Sequence, residues 1–565
     1  MQADEAAEQG RTRRAWGLAG LAVVLGIALA LRLVGITWGL PDSSHLFSYH
    51  PDEFHSLRGA LALALGDPNP HFFNYGSLYL YLVAAAAAIA HPALFTALPD
   101  AGPGDPTLPA AISAWTLDAR AVTLLTALAS VAVVCATARA IWGRRCGLTA
   151  GLLLALMPLH VLHSHYATVD VPGALFVALA LMFAVRMVRE PVLRNALWAG
   201  AAAGLAASVK YSGGLALVAP LAAWVVVALA ARGAGARRPS LAALVLPPLV
   251  ALGAFALTSP YTLLDWPAAW RDIRFEMQHM ETGDDPAMIA LWPNGWLFHL
   301  HELGPATGFA ALAAAAVGLT SGLASGRREL LPLVAFGVLA FVVMGSAQVR
   351  YARYEIALLP VLAVFAGGVG SDDLYLRARG RLSAAAVAVA MALLLFASVL
   401  GAVSLDHRML RELTSSDPRA RALEVIRQQV PAEGSVGLIS EPWFYHPPVD
   451  YCNGGPALRS NPVWSAYRRP VRELHMVGLD PAALEEGPDA VVVTGFEVDA
   501  PLQAGDARVR AFVATLPAAG YACVFRSRGS GPPWSRGRAP ASDWLYPFPR
   551  IEVWLNTGAA AGVEP

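Results

Sequence analysis

Charged residues are scarce in this chain: Asp, Glu, Lys and Arg make up 15% of its 565 residues. Soluble domains carry about 25% of these residues, so the composition excludes a protein that is soluble throughout. The formal net charge is zero, which excludes the strongly basic surface of a nucleic-acid-binding protein. Hydrophobic residues make up 56% of the chain and the mean hydropathy is +0.49. We therefore predict a membrane protein with a soluble part, in contact with membrane lipids and with no nucleic acid.

Cysteine is rare as well, with four residues in the whole chain. None of them has the C-x-x-C spacing of a metal site. Cys135 and Cys146 fall in or beside apolar runs, whereas Cys452 and Cys523 lie in the polar C-terminal third. The latter two could form a disulfide if that part is exported, although spacing alone does not define a pair.

Long apolar runs are abundant. The first follows the basic segment "RTRR" and is long enough to span a bilayer, with no small-residue cleavage site after it, so we predict an uncleaved first helix over 16–36 that starts in the cytoplasm. Further runs lie near 77–97, 118–141, 148–165, 171–188, 195–209, 212–231, 241–259, 303–322, 330–347, 354–370 and 382–404.

Basic clusters order these runs, because short cytoplasmic loops are enriched in Lys and Arg. Two apolar runs separate each cluster from the next, so all five can be cytoplasmic: Arg144-Arg145; Arg186, Arg189 and Arg194; Arg232, Arg237 and Arg238; Arg327-Arg328; and Arg377, Arg379 and Arg381. The first external loop, 37–117, must then begin and end outside. The run 77–97, interrupted by His91-Pro92, is accordingly predicted to be re-entrant or interfacial. This gives about 11 transmembrane helices within 1–404, in a bacterial cytoplasmic membrane, and an extracytoplasmic domain over 405–565.

The unusual polar side chains fall on the outer side of this topology. They occur in "YHPDE" (49–53), "HSHYATVD" (163–170), "KYSGG" (210–214), 259–302 and "QVRYARY" (348–354). Carboxylates at a reaction centre suit a general base or a divalent metal, and Lys or Arg near apolar surface suits a phosphate. Since no nucleotide pool exists outside a bacterial membrane, an activated donor there would be lipid-linked. The pattern favours group transfer from a lipid phosphate over a transporter, because no internal repeat is visible.

The ordered motifs "YHPDEF", "NPHFFNYGSLYLYL", "SHYATVDVP", "KYSG" and "RYEIALLPVL" resemble the phospholipid-carrier-dependent glycosyltransferases. These are bacterial relatives of the protein O-mannosyltransferases and of the aminoarabinose transferase, and the resemblance covers about 16–404. It implies a polytopic α-helical membrane protein with the GT-C glycosyltransferase fold. It also implies a sugar donor on polyprenyl phosphate, transfer that is usually inverting, and a catalytic carboxylate in the first external loop. The matching residue is Asp52, with Glu53 beside it.

The site roles follow from that reaction. Asp52 is the candidate general base for an acceptor hydroxyl, and Lys210, Arg350 and Arg353 would stabilise the leaving phosphate. Arg120 is a further candidate cation. Glu53 would orient the acceptor or join a metal with Asp170 and His165. His50, His165 and Asp170 are assigned to an acceptor or metal site, and metal use stays open because family members differ in it.

Simpler readings remain for several of these residues. Asp170 and the neighbouring histidines could cap helices at the interface, and Lys210 could extend to the membrane surface without a ligand. The protein could instead transport or flip lipid-linked sugars, or be an assembly protein of the envelope. The sugar is undetermined, and the acceptor could be a glycan, a lipid or a protein.

The C-terminal segment 405–565 reads as a small α/β domain. A helical pattern, "DPRARALEVIRQQVPAEG", precedes three short segments rich in β-branched residues, "SVGLIS", "DAVVVTGF" and "RIEVWLN". Such runs bounded by Gly, Pro and Asp predict strands. The segment would recognise the acceptor or cover the site.

Overall fold

The computed structural model describes residues 2–92, 105, 107–234, 239–372, 374, 383–455, 465–485, 487–527 and 539–557. Of the predicted cytoplasmic cations, Arg237, Arg238, Arg377, Arg379 and Arg381 lie outside the described residues. The end of the predicted run 77–97 also lies outside them.

Helices build the larger, N-terminal part of the chain. Its α-helices are Gln2–Leu33, Pro51–Ala64, Leu78–Ala90, Leu108–Trp142, Arg144–Leu156, Pro158–His163, Asp170–Arg189, Leu193–Val209, Val218–Ala234, Ala242–Thr258, Tyr261–Leu264, Trp266–Thr282, Pro286–Leu291, Gly295–Thr307, Ala310–Ala324, Leu331–Ser346, Leu359–Gly367 and Ala384–Thr414. Short 3₁₀ helices cover Tyr211–Leu217, Arg328–Leu330, Ala352–Ala357 and Gly368–Gly370.

Several of these helices are long and apolar enough to cross a membrane. Five such helices occur among the described residues, or six if a bent pair is one span, and four further apolar helices are shorter. The five are Leu108–Trp142, Asp170–Arg189, Tyr211–Arg232, Arg328–Ser346 and Ala384–Gln429. The predicted multi-pass membrane character is confirmed, whereas the predicted count of eleven spanning helices is not.

Several of the predicted apolar runs are interrupted in the structure. The run 148–165 breaks at Met157, whose backbone is extended before Pro158. The run 303–322 breaks where Gly308 and Phe309 both have positive φ, and the flanking helices Gly295–Thr307 and Ala310–Ala324 meet at 104°. Hydropathy alone cannot locate such breaks, because the residues around them are as apolar as those of a straight helix.

The helix Ala384–Thr414 runs through the predicted domain boundary at 404/405 without interruption. Its 31 residues make it about 46 Å long at a rise of 1.5 Å per residue. After a short turn the helix Pro418–Gln429 follows, capped by Asp417, whose side chain accepts from Arg419 N. The predicted boundary thus falls inside a continuous helix, and the first break after it lies at 415–417.

A five-stranded sheet forms the core of the C-terminal domain. Its strands are β1 (Ser435–Leu438), β2 (Glu473–Met476), β3 (Ala490–Thr494), β4 (Tyr521–Arg526) and β5 (Ile551–Asn556), in the order β2-β1-β3-β5-β4. β1 is parallel to β2 and β3, and β5 is antiparallel to β3 and β4. The three segments predicted as strands are β1, β3 and β5.

Helices cover both faces of this sheet. Pro418–Gln429 packs through Leu423 and Ile426 on one face, and Gly495–Ala504 and Ala507–Ala518 pack on the other. All five residues of β3 are buried, as expected for a strand that lies between two helical layers. Cys452 and Cys523 are free cysteines, so they form no disulfide.

The C-terminal domain contacts the loop that precedes the HPDE motif directly. Leu46 N donates to Tyr451 O at 2.9 Å, and Phe47 N donates to Asn453 Oδ1 at 3.1 Å. Asn453 Nδ2 in turn donates to Phe47 O at 3.3 Å. These bonds fix the loop a few residues before the HPDE motif.

Candidate active site

The HPDE motif forms the first turn of the helix Pro51–Ala64. His50 is the N-cap, and its Nδ1 accepts from Asp52 N at 3.2 Å. Pro51 suits the first helical position because it needs no intrahelical partner for a backbone N–H. Asp52 and Glu53 lie in the first turn, where the helix dipole favours negative charge.

Asp52 faces a partly open site and pairs with Arg353. Arg353 Nη2 lies 3.4 Å from Asp52 Oδ2, and the Asp52 side chain keeps 19% of its surface exposed. Arg353 belongs to the 3₁₀ helix Ala352–Ala357, and its guanidinium stacks 3.7 Å from the centre of the Tyr351 ring. Burial opposes the charged form of Arg353, but Asp52 and Asp543 outweigh it and raise the pKa of the guanidinium well above its ordinary value.

A second ion pair lies beside the first. Lys210 Nζ donates to Asp170 Oδ1 at 2.7 Å, and the Lys210 side chain is 21% exposed. Lys210 ends the helix Leu193–Val209, and Asp170 begins the helix Asp170–Arg189. The ring of Tyr354 joins the two pairs, because Lys210 Nζ lies 4.4 Å and the Arg353 guanidinium 5.9 Å from its centre.

The structure thus brings four predicted residues, Asp52, Arg353, Lys210 and Asp170, into one site. Each of its two cations is paired with a carboxylate, and the two carboxylates differ in exposure. Asp170 is 4% exposed, whereas Asp52 is 19% exposed. Asp52 is therefore the carboxylate that a substrate can reach more readily.

Glu53 occupies a different environment from Asp52. Its side chain is fully buried, and Arg120 binds both of its oxygens, with Nε–Oε1 at 2.7 Å and Nη2–Oε2 at 2.8 Å. Ala167 N donates to Oε1 as well. Burial would raise the pKa of Glu53, but Arg120 outweighs it and holds that pKa below its ordinary value. Glu53 thus lies in a buried ion pair, and this placement does not support its predicted role in orienting an acceptor or binding a metal.

The Glu53–Arg120 pair also fixes the end of the first helix. Arg120 Nη1 donates to Ile36 O at 2.6 Å and to Trp38 O at 2.8 Å. One guanidinium thus joins the HPDE helix, the helix Leu108–Trp142 and the chain that leaves the first helix. Arg120 acts here as a structural cation, and it does not face the exposed side of Asp52.

Arg350 and His165 are also held by backbone groups. Arg350 donates to Trp292 O at 3.0 Å and to Ala347 O at 2.6 Å, and it is 4% exposed. His165 is fully buried, with Nδ1 2.8 Å from Val161 O and Nε2 2.9 Å from Val34 O. These contacts do not support the predicted phosphate role of Arg350 or the predicted acceptor or metal role of His165, and both roles stay predictions.

His50 lies behind the site rather than in its open part. It is 1% exposed, with its ring 4.3 Å from the Tyr166 ring and 4.5 Å from the Tyr546 ring, centre to centre. Within the described residues, no three His, Cys, Asp or Glu side chains are grouped so that they could hold a metal ion. The predicted metal set of Glu53, His165 and Asp170 is not assembled, and we derive no step through a metal.

Two residues of the site come from the C-terminal domain and were not predicted. Asp543 is fully buried, and its Oδ1 accepts from Arg353 Nη1 at 3.0 Å. Tyr546 OH lies 3.4 Å from the same nitrogen. The available signal was the acidic residue inside the aromatic stretch "SDWLYPF", because a buried carboxylate needs a charged or hydrogen-bonding partner.

Comparison with known proteins shows which proteins the chain resembles. Residues 112–263, less than half of the chain, match the family model "Dolichyl-phosphate-mannose-protein mannosyltransferase". That range contains Arg120, Asp170 and Lys210. No curated protein matches the chain by sequence.

Two solved structures share the fold. One is the oligosaccharyltransferase AglB from Archaeoglobus fulgidus, in complex with an inhibitory peptide and a dolichol-phosphate, at 15% identity and a TM-score of 0.51 over 91% of this chain and 73% of that one. The other is ArnT from Cupriavidus metallidurans bound to undecaprenyl phosphate, at 16% identity and a TM-score of 0.51 over 97% of this chain and 99% of that one.

The chain thus has the GT-C fold, as the sequence motifs implied. The family-model match over residues 112–263 agrees with the resemblance of this part of the chain to the mannosyltransferases.

Proposed function

We propose that this protein transfers a sugar from a polyprenyl-phosphate donor to an acceptor hydroxyl, at the outer face of the cytoplasmic membrane and with inversion at C1. The observation that carries the proposal is the site itself: an accessible carboxylate, Asp52, beside two cations, Arg353 and Lys210. AglB and ArnT, which have the same fold, carry a dolichol-phosphate and undecaprenyl phosphate in their structures.

The reaction needs one base and no acid. The acceptor oxygen attacks C1 of the sugar and gives its proton to Asp52, while the bond from C1 to the phosphate oxygen breaks. The electron pair of that bond stays on the polyprenyl phosphate, which leaves as an ionised phosphate. Because the leaving group needs no proton, a single carboxylate and nearby cations are sufficient.

Both cations are paired with carboxylates when no substrate is present. A donor phosphate would therefore compete with Asp52 for Arg353 and with Asp170 for Lys210. The Arg353–Asp52 contact, at 3.4 Å, is longer than the Lys210–Asp170 contact, at 2.7 Å. Asp52 is thus the partner that a phosphate displaces more easily, and its displacement would free it to accept the acceptor proton.

The test of the proposal is an assay with the purified protein and a panel of polyprenyl-phosphate sugars and hydroxyl acceptors. Transfer that depends on the lipid-linked donor supports the proposal. A flippase of lipid-linked sugars would instead move the donor across a vesicle membrane without any glycosylated product. Movement of the donor with no product for any acceptor would overturn the transferase assignment.

The donor site gives a second prediction. The double variant Lys210→Met/Asp170→Asn removes both charges, so no unpaired carboxylate is left behind. Loss of a charge-assisted contact of about 1.5–3 kcal/mol should weaken polyprenyl phosphate binding about 10–100-fold. The measurement is the Kd of polyprenyl phosphate for the purified variant. Arg508→Gln, at a side chain that is 79% exposed in the C-terminal domain, is the charge-loss control. An unchanged Kd in the double variant would contradict the assignment of Lys210.

The outer location gives a third prediction. Fusions at the C-terminus should be active for a phosphatase that works only outside the cytoplasm, and dark for a fluorescent protein that folds only inside it. The physical reason is that the enrichment of Lys and Arg in short cytoplasmic loops predicts a cytoplasmic location for all five basic clusters. The reverse pattern, with a bright cytoplasmic reporter, would place the site on the inner face and refute the proposed location.

A further inference from the structure

The segment around residues 541–548 carries the C-terminal domain into the membrane part of the protein. It begins at the 3₁₀ helix Ser542–Trp544, and Ala541, Trp544 and Tyr546 are at most 2% exposed. Trp544 Nε1 donates to Glu302 Oε2 at 2.8 Å, and Glu302 belongs to the helix Gly295–Thr307. This segment is therefore anchored beside the site independently of any charge on Asp543.

Asp543 holds both the backbone and the side chain of one site residue. Its Oδ2 accepts from Ala352 N at 2.7 Å and lies 3.4 Å from Arg353 N. Its Oδ1 accepts from Arg353 Nη1 at 3.0 Å, and His163 Nε2 lies 3.7 Å from that oxygen. The carboxylate is fully buried, and these contacts stabilise its negative charge.

The planar guanidinium transmits this constraint to Asp52. Arg353 binds Asp543 through Nη1 and Asp52 through Nη2. Because the guanidinium is a rigid fork, fixing Nη1 also fixes the direction of Nη2. Asp543 further shares the positive charge of Arg353, so Asp52 does not receive all of it.

We propose that Asp543 is a positioning residue for Arg353: the C-terminal domain completes the catalytic centre by aiming Nη2 at Asp52 and by limiting how strongly Arg353 stabilises the Asp52 carboxylate. This inference rests on the proposed function. It assigns the C-terminal domain a part in the chemistry, beyond recognising an acceptor or covering the site.

The test is Asp543→Asn, which keeps the shape and removes the charge. Asp52 then remains the sole carboxylate on Arg353, so its negative form is stabilised and it becomes a weaker base. The acid limb of the pH dependence of kcat/KM should move to lower pH by about 0.5–1 unit. At neutral pH, kcat/KM should fall about 10–100-fold as Arg353 loses its fixed direction.

A second readout does not need turnover. The exposed Asp52 can be labelled with a carbodiimide and an amine, and mass spectrometry gives the extent of labelling at each pH. The midpoint of this curve should move down by the same amount in Asp543→Asn. Asp52 interacts electrostatically with several titratable or charged groups around it, which are the same in both proteins compared: His55, Tyr75, His163, Arg353, Tyr354 and Tyr546.

Three variants separate positioning from a general structural role. Trp544→Phe loses the anchor to Glu302 but keeps the charge of Asp543, so stability should fall while the midpoint stays. Asp480→Asn, at an exposed helix cap, is the matched control and should leave both readouts unchanged. Asp543→Ser, a smaller neutral acceptor, replaces Asp543→Asn if that variant does not fold, with the same downward shift expected.

The outcomes distinguish this inference from the proposed function. A folded Asp543→Asn or Asp543→Ser variant with the wild-type labelling midpoint would overturn the inference, even if the wild-type protein transfers sugar. If the labelling midpoint moves down in Asp543→Asn but the wild-type protein transfers no sugar, the positioning role is supported and the proposed function is overturned.

Discussion

Asp52→Asn should lower the turnover of the purified protein by about 10²–10⁴-fold, because it removes the base and keeps the side-chain shape. Protein yield should stay close to wild type, since Asp52 is partly exposed and Arg353 keeps Asp543 as a partner. The measurement is the initial rate of product formation from a polyprenyl-phosphate sugar, by mass spectrometry of the product.

Asp42→Asn is the matched control for this experiment. Asp42 lies ten residues before Asp52, its side chain is 61% exposed, and it accepts from Ser44 N, a bond that an Asn oxygen can replace. The turnover of the Asp42→Asn variant should equal that of the wild type. Near wild-type turnover in Asp52→Asn would show that this carboxylate is not the base, and Asp170 would then be the next candidate.

Glu53→Gln should have the largest effect on stability. Breaking a buried ion pair from one side leaves an uncompensated charge, here that of Arg120, at a cost of about 3–5 kcal/mol. The expected results are a lower thermal unfolding temperature in detergent and a lower yield of folded protein. The double variant Glu53→Gln/Arg120→Met should recover part of the loss, because no unpaired charge is left.

The pH dependence of this contribution has a definite sign. The folded-state pKa of Glu53 is below its ordinary value of 4.5, so the folded state favours the carboxylate more than the unfolded state does. The stabilisation is therefore fully present above pH 4.5 and is lost as the pH falls through the lower folded-state pKa. Glu473→Gln, at a side chain that is 71% exposed, is the control. A Glu53→Gln protein with wild-type stability and no turnover would contradict the structural role.

The sequence motifs predicted a site around the HPDE motif, but they could not separate Asp52 from Glu53. The two residues look alike in a loop, and both were placed in the chemistry. Once the motif forms a helical turn, adjacent side chains point about 100° apart. One carboxylate then faces the open site and the other faces Arg120 in the helix Leu108–Trp142, so burial decides their roles.

Contacts between distant parts of the chain could not be predicted from the sequence either. Arg353 and Lys210 were predicted to act in one site with Asp52, and the structure places the three side chains close together. Arg350 differs from Arg353 by one turn of chain, and only the structure shows that carbonyl groups bind it. Asp543 was missed because its partner lies 190 residues away.

The uninterrupted helix Ala384–Thr414 has a consequence for protein engineering. Its length of about 46 Å exceeds the hydrocarbon thickness of about 30 Å, so its last turns continue beyond the lipid as a rigid stem. A chimaera joined at 404/405 would place its seam within that stem, and any change in helical phase there would rotate the grafted domain. One inserted residue rotates the grafted domain by about 100°. This rotation would move Asp543, the acidic partner of Arg353 in that domain, away from Arg353. A graft joined at 415–417 would keep the phase of the stem, so domain exchange between relatives should succeed at that turn.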